Sequence, residues 1–351
     1  MIIFSYAFSL HVKLISRINT MISKFIVPNS ILLILLNLLY SLPISAMEKD
    51  VKRLTWAHVY ETSEPLHQWA EWAATEINKR TNGRYHISVF PTSIMGKEAE
   101  LNQSLSLGTV DIIYTGTSFA GQTYPPMTLS ELPYVFRDYQ HWQLFTESDL
   151  FAEMIRGYKD ATGGNQIVGN NYYGQRHLTS NKPINTPADM RNLKLRVPNA
   201  SIYKMFPLAV GANPSPIAFS EVYLALQQGV VDAQENPLPT IKAKKFYEVQ
   251  QYISLTGHLQ GSILSVLSNR FWSSLNEQDK HIFEDVLIQA SRGVSSDTRK
   301  AELSLVDWFK TQGVTILAVE RSLFREKTLP QHTQIKQSLG ADFYERLQNI
   351  K

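Results

Sequence analysis

Residues 192–237 read "NLKLRVPNASIYKMFPLAVGANPSPIAFSEVYLALQQGVVDAQENP" and carry strand and helix patterns in alternation. Leu193, Leu195 and Val197 fall on one face of an extended segment, Lys194 and Arg196 fall on the other, and Pro198 stops the ladder. Residues 201–212 show helical spacing with a glycine stop, and residues 213–218 form a short extended piece. Residues 220–229 predict a helix capped by Ser220 with Glu221 early in its first turn, and residues 230–236 predict a strand.

The same order of elements stands earlier in the chain. Leu54, Trp56 and His58 share one face of a strand. A helix follows, with Ser63 as N-cap, Pro65 in its first turn, Leu66, Ala70, Ala73 and Ile77 at helical spacing, and Asn82 and Gly83 closing it. A strand over 84–91, a helix over 97–108 and a strand over 110–116 complete the unit. The two units close alike, with Gly108, Val110 and Asp111 in one and Gly229, Val231 and Asp232 in the other. Glycine stops before strands are common, so this match alone does not establish a duplication. Strands alternating with helices of this length predict an α/β fold in two lobes, with small-molecule sites in the cleft between them. From about Ser273 the pattern is helical for some forty residues, either one long helix bracing both lobes or two helices broken near Gly293; the single brace is the expectation.

The chain has 351 residues, 44% of them hydrophobic and 19% charged, with a formal net charge of +3. Its basic residues are interspersed with nearly as many acids, which points away from nucleic acid. There is no cysteine, which excludes disulfides, thiolate catalysis and Cys-ligated metals. Residues 1–46 run from Lys13, Arg17 and Lys24 through the apolar "ILLILLNLLY" to "SLPISA", the order of a secretory signal cut after Ala46; Met21 would give a more usual length, making residues 1–20 an over-called start. An uncleaved anchor is the competing reading, but the apolar run is short of the ~20 residues a span needs. Beyond it no stretch is long and apolar enough to span a bilayer.

Arg196 sits at a strand end by the presumed cleft, and Arg176 ends the strand-like stretch "QIVGNNYYG", next to Asn170, Asn171, Tyr172, Tyr173 and His177. A guanidinium offers paired planar donors that match a carboxylate. Each arginine equally suits a surface ion pair, the usual fate of such a residue. Asn236 follows a predicted strand and suits either a turn or the cleft, and Phe219 suits either a staple or a lid. His67 falls at a helix start near the cleft. The loop "GTSFAG" places Thr117 and Ser118 after the third strand, but Ala120 stands where a G-x-S-x-G nucleophile elbow needs glycine. With no H-E-x-x-H, P-loop or G-x-G-x-x-G, no catalytic, metal or cofactor site is indicated.

From "LRVPNASIYK" through "QENPLPTIKAKKFYEVQ", the sequence resembles the DctP-type substrate-binding proteins of tripartite ATP-independent periplasmic (TRAP) transporters, especially the sialic-acid-binding branch. The resemblance covers the chain from about Leu54 to the C-terminal helices. It implies a two-lobed periplasmic-binding-protein-like α/β fold with a central cleft and a long helix bracing both lobes. Lobe I would span 47–173, completed by about 262–300, and lobe II 174–261, completed by about 301–351. It also implies a periplasmic monomer that binds an organic acid, needs no cofactor, and delivers the acid to small and large membrane permease subunits. Arg196 becomes the carboxylate anchor, Arg176 a second cationic contact, and Asn236 and Phe219 cleft-lining residues; Tyr173, His67, Thr117 and Ser118 join them as candidate contacts. Gly116 stands where the sialic-acid branch carries an acid, and the first loop, "HVYETSEPLH", also differs, so the carboxylate requirement carries over and sialic acid itself does not. A binding module for a sensor system, or a two-lobed periplasmic enzyme, is the alternative.

Overall fold

The computed structural model describes residues 51–339 and 341–351, so the signal expected over 1–46 lies outside the described residues. Among the described residues, nine strands form one mixed sheet in the order β2-β1-β3-β8-β4-β7-β5-β6, with β9 on β8. They are β1 (Lys52–Ala57), β2 (Tyr85–Phe90), β3 (Ile112–Gly116), β4 (Gln166–Ser180), β5 (Lys194–Val197), β6 (Asn213–Pro216), β7 (Ala233–Pro237), β8 (Tyr252–Leu267) and β9 (Thr315–Leu317). The β1–β2 and β1–β3 pairs are parallel, as are β5–β6 and β5–β7, which is the pairing that strand-helix-strand connections require. Two long antiparallel strands, β4 and β8, pair with each other and join the two parallel groups. β4 therefore runs on through Arg176 to Ser180, and Arg176 is interior to a strand rather than at its end.

The repeated Gly-x-Val-Asp is built the same way twice. Gly108 and Gly229 both adopt φ 68°, the left-handed conformation that ends a helix at low cost for glycine. Asp111 then accepts the backbone N–H of Thr55 on β1, and Asp232 accepts that of Lys194 on β5, each at 2.8 Å. The aspartate thus ties the incoming strand to its parallel neighbour.

Helices α1 (Pro65–Arg80), α2 (Glu98–Leu107), α3 (Thr117–Ala120), α4 (Tyr139–Thr146), α5 (Asp149–Ala161), α6 (Met205–Ala209), α7 (Val222–Gln227), α8 (Leu238–Ala243) and α9 (Asn269–Trp272) precede the long α10 (Glu277–Thr311); α11 (Arg321–Thr328), α12 (His332–Leu339) and α13 (Ala341–Gln348) follow it. At 35 residues, α10 is about 52 Å long. Its first half buries Phe283, Val286, Leu287, Ala290 and Val294 in the large core built on β1–β3. Its last half buries Leu305 and Phe309 in a second core with Val222, Ile241 and Phe246, so one helix braces both parts. The helix does not break at Gly293, where a Cβ would lie 2.3 Å from the Trp69 ring; the glycine lets α1 approach α10 closely.

Three local expectations change. The first N-cap is Glu64, with Pro65 at the first helical position, rather than Ser63. The helix expected over 201–212 splits into a 3-10 turn, Ser201–Lys204, and the short α6, because Pro207 has no N–H and its ring would crowd the carbonyl four residues back. Ser220 lies inside the 3-10 turn Phe219–Glu221 and caps nothing; α7 starts at Val222. No helix of the described residues is long and apolar enough to cross a membrane.

Candidate functional site

A cavity of about 180 Å³ opens where the parallel strands end, lined by Tyr60 after β1, Gly116 of β3, Arg196 and Asn199 around the end of β5, and Asn236 of β7. This is the edge at which open α/β sheets gather ligands, because the strand ends splay there. Arg176, Tyr173, Phe219 and Tyr203 complete much of the wall. Of the residues singled out from sequence, Arg196, Arg176, Asn236, Phe219 and Tyr173 thus meet at one cavity.

His67, Thr117 and Ser118 do not line it. His67 Nδ1 faces His58 Nε2 at 3.2 Å. Thr117 donates to Glu131 at 3.0 Å and accepts from Ser130. Ser118 is buried beside Tyr203.

The two arginines are held differently. Arg196 is 1% exposed, and its Nε and Nη2 both donate to the Ile217 carbonyl, at 3.0 and 2.7 Å. Its Nη1 has no hydrogen-bond partner among the described residues. Burial pulls its pKa down to about 10, against the attraction of Glu235. The sequence set Arg196 at a strand end by the presumed cleft, with a surface ion pair as the alternative; the structure places it near the end of β5 and buries it.

Arg176 is already engaged. Its Nε donates to Glu235 Oε2, and its Nη2 reaches Glu235 Oε1 and the Glu235 carbonyl, both at 2.8 Å. Burial opposes the Arg176 charge, but the Glu235 carboxylate outweighs that and raises its pKa; burial likewise opposes the charge of Glu235, which Arg176 holds below the usual carboxylate range. His258 approaches the same carboxylate at 3.3 Å and stacks on Phe206, and burial lowers its pKa.

Asn236 donates to Gln234 at 2.6 Å. The Tyr173 hydroxyl accepts from Thr240 at 2.9 Å, and its ring meets Tyr60 edge-on at 5.3 Å. The Phe219 ring lies 5.9 Å from the Arg196 guanidinium and 5.0 Å from the Lys244 ammonium. Lys244 in turn is paired with Glu61 at 2.7 Å.

Sequence reasoning missed Glu98. As the first residue of α2 it is indistinguishable in sequence from any acid that complements a helix N-terminus. In the structure its carboxylate lines the cavity and accepts the Gly116 N–H at 2.6 Å and the Thr115 hydroxyl at 3.2 Å. Burial raises its pKa to about 7, while those hydrogen bonds and the two arginines pull the other way. A carboxylate therefore reaches position 116 although residue 116 has no side chain. Tyr60, Lys97, Asn199 and Tyr203 were also missed, because their approach to the cavity depends on chain segments far apart in sequence.

Two α/β halves joined by long strands and braced by one helix, with a cavity at the strand ends lined by two buried arginines, are the architecture of a solute-binding protein. Residues 56–338 match the family described as bacterial extracellular solute-binding protein, family 7 (DctP), and the chain belongs to it, among the solute-binding proteins of TRAP transporters. It is 33% identical over 278 residues to the sialic acid-binding periplasmic protein SiaP of Vibrio cholerae, covering 79% of this chain and 86% of that one. Among solved structures, a TRAP periplasmic solute-binding protein of Polaromonas bound to D-erythronate superposes with a TM-score of 0.82 at 29% identity, covering 86% of this chain and 99% of that one. Another, from Sulfurospirillum deleyianum with bound succinate, gives 0.80 at 27% identity, with 85% and 99% covered.

Proposed function

We propose that this protein captures a hydroxylated monocarboxylic acid of the sugar-acid class, with Arg196 as the carboxylate anchor. The observation that carries this reading is the unpartnered Nη1 of a buried arginine that lines the cavity. A buried charge left with an open donor edge is costly, and a carboxylate is the planar acceptor that satisfies it. Arg176 supports the site by its charge, while most of its donors are committed to Glu235. The wall therefore offers one principal anionic subsite. Glu98 shares the lining; once ionised, above about pH 7, it accepts from a ligand hydroxyl and disfavours a second carboxylate. Asn236 and Tyr173 add polar contacts, and Phe219 covers the ligand.

In this reading residues 47–173, completed by about 262–300, form one lobe and 174–261, completed from about 301 onward, the other, closing on the acid as a hinge; the last helices, expected with the second lobe to 351, instead bury Leu339, Tyr344 and Leu347 in the first lobe's core. The chain works as a periplasmic monomer after removal of residues 1–46, and hands its ligand to the small and large subunits of a TRAP permease.

Calorimetric titration against aldonates, uronates, sialic acid and C4-dicarboxylates tests the assignment. Binding of a hydroxy monocarboxylate and not of succinate is expected. Glu98→Gln should weaken the hydroxy acid and admit succinate; a wild-type protein that prefers succinate overturns the charge argument.

A further inference from the structure

A second cavity, of about 620 Å³, lies among α4, α5 and α10, with Val168, Gly169 and Asn170 of β4 in its lining. It shares no lining residue with the cleft. Its size is that of small-molecule sites, which run from roughly 300 to 1,000 Å³ and are mostly apolar with a few polar groups. The apolar wall is aromatic: Tyr139, Trp142 and Phe151.

Two polar features are left open. Asn170 is 6% exposed, and its Nδ2 donates to Thr146 at 3.0 Å while its Oδ1 has no partner among the described residues. A buried carbonyl oxygen without a donor is a cost that an entering N–H or O–H removes. The rim is cationic, with Arg292, Arg299 and Lys300 against one acid, Glu147. Arg299 is paired with Glu302 and Lys300 with Asp297, both at 3.2 Å. Arg292 is exposed, and its side chain makes no hydrogen bond or ion pair among the described residues, although with Gln289 and Arg80 it helps to hold the Asp285 carboxyl below its usual range.

We propose that this cavity is a second binding site, for an aromatic carboxylate that also carries a hydroxyl or N–H donor. The carboxylate pairs with Arg292, the ring lies against the aromatic wall, and the donor satisfies Asn170. The three requirements together distinguish this ligand from the acid in the cleft, which needs no ring.

The test is titration of the purified protein with 4-hydroxybenzoate, with benzoate and phenol as ligand-side controls and Arg196→Ala as the cleft-dead background. Binding to both wild type and Arg196→Ala is expected, weaker by about two- to fivefold for Arg292→Ala, as for loss of one exposed ion pair. Benzoate and phenol should each bind more weakly than 4-hydroxybenzoate. Three results would overturn the proposal: no binding to wild type at millimolar probe, binding abolished by Arg196→Ala, which would place the probe in the cleft, or binding indifferent to Arg292→Ala. Arg292 is exposed, so its replacement leaves the core intact, and the ligand-side controls do not depend on the variant folding.

Discussion

Replacing Arg196 with alanine removes the proposed carboxylate anchor from a cavity whose other arginine is bound to Glu235. Truncating one partner of a buried, hydrogen-bonded charge pair costs about 2 to 5 kcal/mol. That is a rise in Kd of about 30-fold to several thousand-fold. Arg196→Lys keeps the charge but offers no planar fork, and it should fall in the same range. The folded state changes in two opposed ways. The Ile217 carbonyl loses both of its guanidinium donors, at a cost of about 1 to 3 kcal/mol, while a buried charge with one open edge disappears. Urea unfolding therefore accompanies calorimetry, so that lost binding is read only on folded protein. A folded Arg196→Ala that keeps its ligand within threefold of wild type refutes the reasoning.

Three further outcomes follow from single contacts. The Glu64 carboxyl is raised from 4.5 to about 7, chiefly by burial, so the native state binds its proton more tightly and this residue costs stability as pH rises from 4.5 through 7. Glu64→Gln removes that cost; its stability relative to wild type should increase between pH 5 and pH 8 by on the order of 2 kcal/mol in urea melts, and a flat difference would contradict the assignment. Lys244→Ala breaks a partly buried pair with Glu61 beside Phe219 and should weaken ligand binding by about 1 kcal/mol by calorimetry; unchanged affinity would show that this pair does not hold Phe219 in place. Gly293→Ala should destabilise by about 1 to 3 kcal/mol in spite of alanine's better helix propensity, because its Cβ meets the Trp69 ring; a more stable variant in denaturant titration would show that α1 and α10 part easily.

What the sequence determined by itself is the local grammar. Alternation at Leu193, Leu195 and Val197, the glycine stops at Gly108 and Gly229, and the forty-residue helical pattern after Ser273 are each fixed by backbone periodicity, which neighbouring residues report. The two guanidiniums were visible too, but by sequence each suits an ion pair as readily as a ligand carboxylate. What only the tertiary structure decided is which of those groups remains free. Arg176 and Arg196 look alike in sequence, yet Glu235, fifty-nine residues from Arg176, engages one, and a single backbone carbonyl leaves the other an open edge. Glu98 reads as a helix-start acid until β3 brings Gly116 to it. Thr117 and His67 read as cleft residues until Glu131 and His58 turn them away. Electrostatic pairing and burial are properties of groups brought together from distant parts of the chain, and periodicity carries no record of them.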